Sequence, residues 1–309
     1  KMASSTTYNT AGNREDLTSV LTVLEPESCP LTSLASKKKA TGTFFEWQVD
    51  DLSTAEFAGV SEGEDVTSFA NKAANRTRLG NYVQKLRRTF MVSDMQQLVD
   101  TAGVANEFAN SESKAIRELK RDFEAAICSA QDRQAEAGAG SPYKTRGMFK
   151  WLGVGGQPAD VPAAFQNVAN DTGGSPVTEP EFNAVLQALY SANGMPGGQL
   201  TLLAGPTLKA DISNFSRTST ATSTTYQVTQ VAESKKVTLS VNLYDGDFGL
   251  VAVTPSVFLN RTSGVSTVDA NAGLLIDPEY VSVYTLKAES RSELEDQGGG
   301  QRGFADLIA

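Results

Sequence analysis

The side chains of this 309-residue chain that could do chemistry are carboxylates, lysines and tyrosines, because it contains no histidine. That absence removes Ser-His-Asp and Cys-His constellations, the HExxH zinc site and most proton shuttles that work near neutral pH. Asp247, Phe248 and Gly249 spell a kinase metal-binding tripeptide. A kinase also needs a Gly-rich phosphate loop after a strand and a histidine-bearing catalytic loop, and neither is in the sequence. The same aspartates resemble the start of a calcium loop, but Ser256 occupies the position of its bidentate glutamate. Asp245-Gly246 before an apolar run reads instead as a hairpin turn. "GVGG" at 153–156 lacks the Gly-Lys-Ser/Thr ending that brings a lysine to phosphates. Asp50 and Asp51 are neighbours on an extended stretch, so their side chains point to opposite faces and do not share an acid-base site. Asn75-Arg76-Thr77 and Asn260-Arg261-Thr262 match a glycosylation acceptor without an export signal to make it count. No catalytic residue, cofactor or metal ligand is expected, and the chain reads as a non-enzyme.

Charge and composition narrow the class. A net charge of -9 disfavours wrapping nucleic acid around a basic face. The basic runs Lys37, Lys38, Lys39 and Arg87, Arg88 are local. Cys29 and Cys128 are far apart with no CxxC pair, so no disulfide framework is expected, and Cys128 falls on the apolar side of a helical pattern. A continuous run of about 18 apolar residues is missing, as is an N-terminal hydrophobic core of a signal peptide, so no membrane contact is expected. With 40% apolar and 20% charged residues the chain belongs among folded proteins.

Behind these residues stand the elements that must position them. Polar text runs to about Ala40 and carries one apolar stripe, Leu17, Val20, Leu21 and Leu24, in a short helical patch from Asp16 that Pro26 and Pro30 bring to an end. In "TFFEWQVDDLSTAEFAGVSEGEDVTSF", which opens at Thr43, Phe45, Trp47 and Val49 alternate with Glu46, Gln48 and Asp50, the period of a half-buried strand. Past Leu52 the alternation lapses into small and acidic residues, and a second extended run returns at "LGNYVQKLRRTFMVS". This predicts a long two-stranded excursion with an acidic tip at Glu62, Glu64 and Asp65. A lone hairpin is marginal in water, so it needs a further surface, which another chain can supply.

From Val104 to Ala137, Ile116, Leu119, Phe123, Ile127 and Ala130 recur at helical spacing and predict a helix of about 30 residues, roughly 45 Å long. Gly- and Pro-rich text follows. Thr178 as N-cap, Pro180 and Glu181 in the first turn and Gly194 past the end delimit another helix. "GQLTLLAGPTLKADISNF" reads as a buried strand, a Gly-Pro turn and a short helix. Strand-like runs come next at "YQVTQVAE", "KKVTLSVNLY", "GLVAVTPSVFL" and "LLIDPEYVSVYTLKAE", and the tail "EDQGGGQRGFADLIA" reads as flexible in its Gly run. The class is α+β.

The order of these parts resembles a tailed-bacteriophage major capsid protein of the Hong Kong-phage-type fold. "REDLTSVLTVLEPESCPLTSL" from Arg14, "FFEWQVDDL" from Phe44, "GNYVQKLRRTFMVSD" from Gly80 and "YDGDFGLVAVTPSVFL" from Tyr244 are similar to stretches of one branch of these coat proteins. The resemblance implies an N-terminal arm over 1–42, an E-loop over 43–90, a P-domain over 91–177 with the spine helix at 104–137, an A-domain over 178–254, and a return to the P-domain with the C-terminal tail over 255–309. It implies self-assembly into hexamers and pentamers of an icosahedral shell around double-stranded DNA, made in the host bacterial cytoplasm and ending in the virion. Decoration, scaffolding and portal proteins are further implied partners. The E-loop then laps over an adjacent subunit, with Phe45, Trp47 and Val49 as apolar contacts and Glu62, Glu64 and Asp65 facing Lys37, Lys38, Lys39, Arg87 or Arg88 of that neighbour. The alternatives are an encapsulin-like nanocompartment shell, a carboxylate- or lysine-dependent enzyme, and an extracellular β-rich adhesin, against which the long helix and the missing export signal count.

Overall fold

The computed structural model describes residues 29–53, 55–99, 103–167, 169–192, 199–215, 241–259 and 271–309, and the backbone alone at 193, 217–220, 223–226, 229–230, 237–238, 260, 262–263 and 266–267. The helical patch expected from Asp16 to Leu24 and much of the strand text between 226 and 240 lie outside the described residues. In chain order the helices are α1 (Pro30–Leu34), α2 (Asp94–Leu98), α3 (Glu107–Ile127), α4 (Met148–Trp151), α5 (Glu179–Asn193) and α6 (Pro206–Asn214). The strands are β1 (Ser36–Lys39), β2 (Phe44–Val49), β3 (Thr77–Tyr82), β4 (Lys85–Val92), β5 (Gln199–Ala204), β6 (Arg217–Thr220), β7 (Ser223–Tyr226), β8 (Thr229–Gln230) and β9 (Val237–Thr238). They continue with β10 (Leu243–Gly246), β11 (Gly249–Pro255), β12 (Thr262–Ser263), β13 (Ser266–Thr267), β14 (Gly273–Ile276), β15 (Ser282–Thr285), β16 (Lys287–Leu294) and β17 (Gln301–Ile308).

Helix α3 lies on a three-stranded antiparallel sheet in which β17 is central between β16 and β4. Ala115, Leu119 and Phe123 of the helix bury themselves against Ala305, Leu307 and Ala309, and each large apolar side chain removed from water there contributes about 1.5–3 kcal/mol. The stripe read from the sequence is the buried one, but the helix has 21 residues rather than about 30. Asn106 starts it by accepting a hydrogen bond from the Ala109 amide (3.0 Å). Just past its end, Ser129 diverts the backbone: its hydroxyl donates to the Ala126 carbonyl (2.7 Å) and accepts from the Gln131 amide (3.2 Å). The chain then doubles back, with Gln134 bridged to Lys144.

The glycine run in the tail is not a flexible end but the turn that feeds β17. Gly298 and Gly300 adopt φ of 87° and 117°, which other residues resist, and the Asp296 carboxylate accepts from both amides (2.8 and 3.4 Å). Those backbone hydrogen bonds hold its carboxyl below the usual range.

A second sheet has the order β10-β11-β5-β14. Phe182 and Leu186 of α5 and Ile212 of α6 pack on Leu200, Leu202, Val251 and Val253. The strand, Gly-Pro turn and helix expected at 199–214 are β5, Gly205-Pro206 and α6. Glu181 accepts from the Thr178 amide and hydroxyl (2.8 and 2.9 Å), the N-terminal signature read for α5. Strands β10 and β11 pair with Gly246 opposite Gly249, so the turn is Asp247-Phe248, two residues later than expected. The kinase-like tripeptide is this turn and its corner glycine at φ 132°.

A third core joins the two halves through Leu31, Cys128, Phe149, Leu203, Leu259 and Leu274. Glu124, fully buried on α3, accepts hydrogen bonds from the Leu31 amide (2.7 Å), the Thr32 amide (2.9 Å) and the Thr32 hydroxyl, which fixes α1 to the helix. Although distant in sequence, Cys29 and Cys128 share this core as thiols not joined in a disulfide, and burial pushes Cys29 up to about 11.

Candidate functional site

Strands β2 and β3 form the predicted hairpin, in register from Phe44 opposite Tyr82 to Val49 opposite Thr77. The long extended run after it is not one returning strand. It breaks at Val83-Gln84, where the Gln84 amide donates to the Ala309 carbonyl (2.6 Å), and β4 leaves to pair with β17 instead. The hairpin proper is therefore β2 and β3, with residues 50–76 between them.

Its root is clamped by the segment that follows α3. Asn81 donates to the Thr145 hydroxyl (3.0 Å) and accepts from the Arg146 amide (2.8 Å), while Arg133 donates to the Gly80 carbonyl (2.5 Å) and lies 5.2 Å from the centre of the Phe44 ring. Arg146 is the hub. Its side chain, 1% exposed, bonds Asp132 (2.7 Å) and both oxygens of Asp160 and rests 4.5 Å from the Trp151 ring centre. Burial pulls the guanidinium down, but the hydrogen bonds to Asp160 and Asp132 outweigh it and the net shift is upward. For Asp160, burial raises the carboxyl and the Arg146 hydrogen bond overcomes it, so the net shift is downward. A buried cation hydrogen-bonded through all three guanidinium nitrogens is tolerated only while its carboxylates stay in place.

Phe45, Trp47 and Val49, expected to face a neighbour, sit on this root. Phe45 stacks on Tyr284 (4.6 Å between centroids) and Trp47 tilts against Trp151 (5.6 Å), over a cavity of about 410 Å³ that Met148 and Arg146 also line. Phe45 and Trp47 thus have partners at home, though Trp47 is still 36% exposed, and Val49 is half-buried beside them.

Beyond the root the coverage stops. Leu52, Phe57, Val60, Val66 and Phe69 are 72–98% exposed. These are the side chains that a reading by alternation passes over, because the stretch around them has no period. The signal that could have found them is large apolar residues spaced three apart, Phe57 with Val60 and Val66 with Phe69, inside an acidic run. Glu62, Glu64 and Asp65 form the exposed tip around Gly63 at φ 80°, and Glu64 closes a turn with Ser61.

The basic residues divide. Lys37, Lys38 and Lys39 are exposed on β1, which pairs in parallel with β15, and Lys38 lies 5.7 Å from the Tyr284 ring centre. Arg88 grips Asp122 of its own helix α3 with two hydrogen bonds (2.5 and 2.7 Å), so it is engaged within the chain. Arg87, next to it, points to the opposite face of the sheet, 4.4 Å from the Phe304 ring centre and 3.7 Å from Asp306. An uncovered, rigidly rooted arm is suited to docking.

Comparison with known proteins gives the same direction. A family model described as SU10 major capsid protein matches residues 4–305. The major capsid protein of Escherichia phage Phieco32 is 26% identical over 126 residues, 41% of this chain, and the match spans 36% of that relative's own length. Among solved structures, the capsid asymmetric unit of Cyanophage A-1(L) superposes with a TM-score of 0.63 at 12% identity, covering 96% of this chain and 92% of that one. The capsid of an empty GTA particle gives 0.59 at 12% identity, with 96% and 89% covered. At such identities the likeness is one of fold.

Proposed function

Because the chain belongs to the SU10 major capsid protein family, we propose that its copies close into the icosahedral head shell of a tailed phage, as hexamers and pentamers enclosing double-stranded DNA. One observation supports this: five large apolar side chains between Leu52 and Phe69 stand exposed among the described residues, a ribbon that another molecule can cover. In this reading residues 43–82 are the E-loop, α3 is the spine helix of a P-domain completed by β4, β16 and β17, and the sheet carrying α5 and α6 is the A-domain. A shell subunit needs several edges that each bury moderate area, on the order of 1,600 Å² per contact, so that closure multiplies modest affinities. The net charge of -9 suits a container that holds DNA without gripping it. Portal, scaffolding and decoration proteins are the partners such a shell would meet during assembly in a bacterial cytoplasm before it becomes the virion wall.

Negative-stain microscopy and sedimentation of the purified protein over rising concentration test the proposal. Closed shells or ring-shaped capsomers are expected. A monomer that persists at high concentration overturns it.

A further inference from the structure

Both tryptophans of the chain, Trp47 and Trp151, line the same cavity of about 410 Å³ at the root of the hairpin. Its walls come from two sides. Phe45 and Trp47 belong to β2, whereas Trp151 belongs to α4 and Tyr284 to β15. The ring pairs Phe45 with Tyr284 and Trp47 with Trp151 make the enclosure largely aromatic, and its volume falls in the range of roughly 300–1,000 Å³ that small-molecule sites occupy.

The polar groups in this wall divide into those already engaged and those still available. Asn81 donates to the Thr145 hydroxyl and the Arg146 carbonyl and accepts from the Tyr82 and Arg146 amides, so it is engaged. Arg146 is engaged by Asp132 and Asp160. Thr145, 6% exposed, accepts from Asn81, but its own hydroxyl proton has no acceptor among the described residues. Lys38 has no ion pair among the described residues, and its ammonium lies 5.7 Å from the Tyr284 ring centre. Two donors are therefore on offer. No aspartate or glutamate lines the cavity, and the Ala309 carbonyl in its wall already accepts from the Gln84 amide (2.6 Å). Aromatic cages by themselves attract cations, but an ammonium beside the rings repels them and favours an anion.

We propose that this cavity is a binding site for a small aromatic monoanion, whose rings pack among Phe45, Trp47 and Trp151, whose charge faces Lys38, and an oxygen of which accepts from Thr145. Because the walls belong to hairpin and body alike, the occupant ties β2 to α4 and β15 and braces the root. The site belongs to a single chain and does not depend on the shell assignment.

The photoreactive acid 4-benzoylbenzoate, which inserts into nearby C–H bonds on illumination, tests the site on the full-length chain. Peptide mapping should place most of the insertion on Met148 and other residues of the cavity wall, with half-saturation on the order of 0.1 mM for a ligand of this size. Insertion mainly at Phe57, Phe69, Met91 or Met95, or no saturable labelling of the cavity, overturns the proposal. Lys38→Met keeps the aliphatic stem and removes the charge. It should weaken labelling by the carboxylate about three- to fivefold and change that of the neutral 4-benzoylbenzamide less than about twofold. The same response to both probes overturns the anion assignment. Thr145→Val, shown to be folded by circular dichroism, should weaken both probes about threefold, and an unchanged affinity removes that contact. At ten times the half-saturating concentration, hydrogen exchange of the β2 amides should slow about tenfold, because opening the root must first release the ligand. Unchanged exchange at saturation overturns the brace.

Discussion

Between Phe44 and Val49 the hairpin is held by stacked aromatics and by a guanidinium network, whereas between Leu52 and Phe69 the same ribbon has large apolar side chains that stand exposed among the described residues. Both regions contain aromatic residues. What differs is the neighbour: the root meets Tyr284, Trp151, Arg133 and Arg146, while the large apolar side chains of the outer loop stay exposed among the described residues. The contrast separates two tasks. A stiff base sets the direction of the arm, and an uncovered arm reserves its hydrophobic free energy for association.

Removing the hub of the root should have the largest effect. Arg146→Ala leaves Asp160 and Asp132 without their buried cation and opens a gap beneath Trp151, and urea unfolding should show a loss of about 3 kcal/mol. Equal stability of variant and parent would break the picture of a self-sufficient root. Next comes the outer loop: Phe57→Ser with Phe69→Ser should cost assembly roughly 2 kcal/mol or more by concentration-dependent sedimentation, yet leave monomer unfolding within about 0.5 kcal/mol. A matched fall in monomer stability would erase the distinction between the regions.

The same small substitution made in both places sharpens the comparison further. A methyl group at Gly80 overlaps the Phe44 ring, so Gly80→Ala should destabilise by about 1–2 kcal/mol. At Gly59 no atom lies within 4 Å, and Gly59→Ala should change unfolding by less than about 0.5 kcal/mol. The smallest effect is that of acid on the root. The carboxyl of Asp160 is held below its ordinary value, so its contribution is complete above the unfolded value near ~3.9 and disappears as pH falls through the lower folded one. Because Asp160 is 29% exposed, the decline should stay below about 1 kcal/mol. Denaturation between pH 7 and pH 2.5 should show it in the parent and not in Asp160→Asn.

Elements whose periodicity is local were legible in the sequence. Strand β2, the buried stripe of α3 at Leu119 and Phe123, and the unit β5, Gly205-Pro206 and α6 follow from spacing and turn chemistry. Elements that depend on distant partners were not. Strand β4 reads as the second arm of the hairpin because "LGNYVQKLRRTFMV" is extended throughout, and only pairing with β17, some two hundred residues later in the chain, separates it from β3. The tail reads as flexible until Asp296 and two left-handed glycines turn it into a central strand. Arg87 and Arg88 are the same residue type side by side, yet the pleat gives one to Asp122 and the other to the opposite face.

The sequence by itself determined that this chain has no histidine-based chemistry, that it combines amphipathic helix and strand, and that it carries an acidic excursion too long to bury itself. These follow from residue types and from periods of two and three to four, which the backbone imposes locally. Tertiary structure decided which aromatics are covered, which cations are already paired and where the helix stops. Burial and ion pairing are set by residues brought together across the whole chain, and no local window of sequence contains both partners.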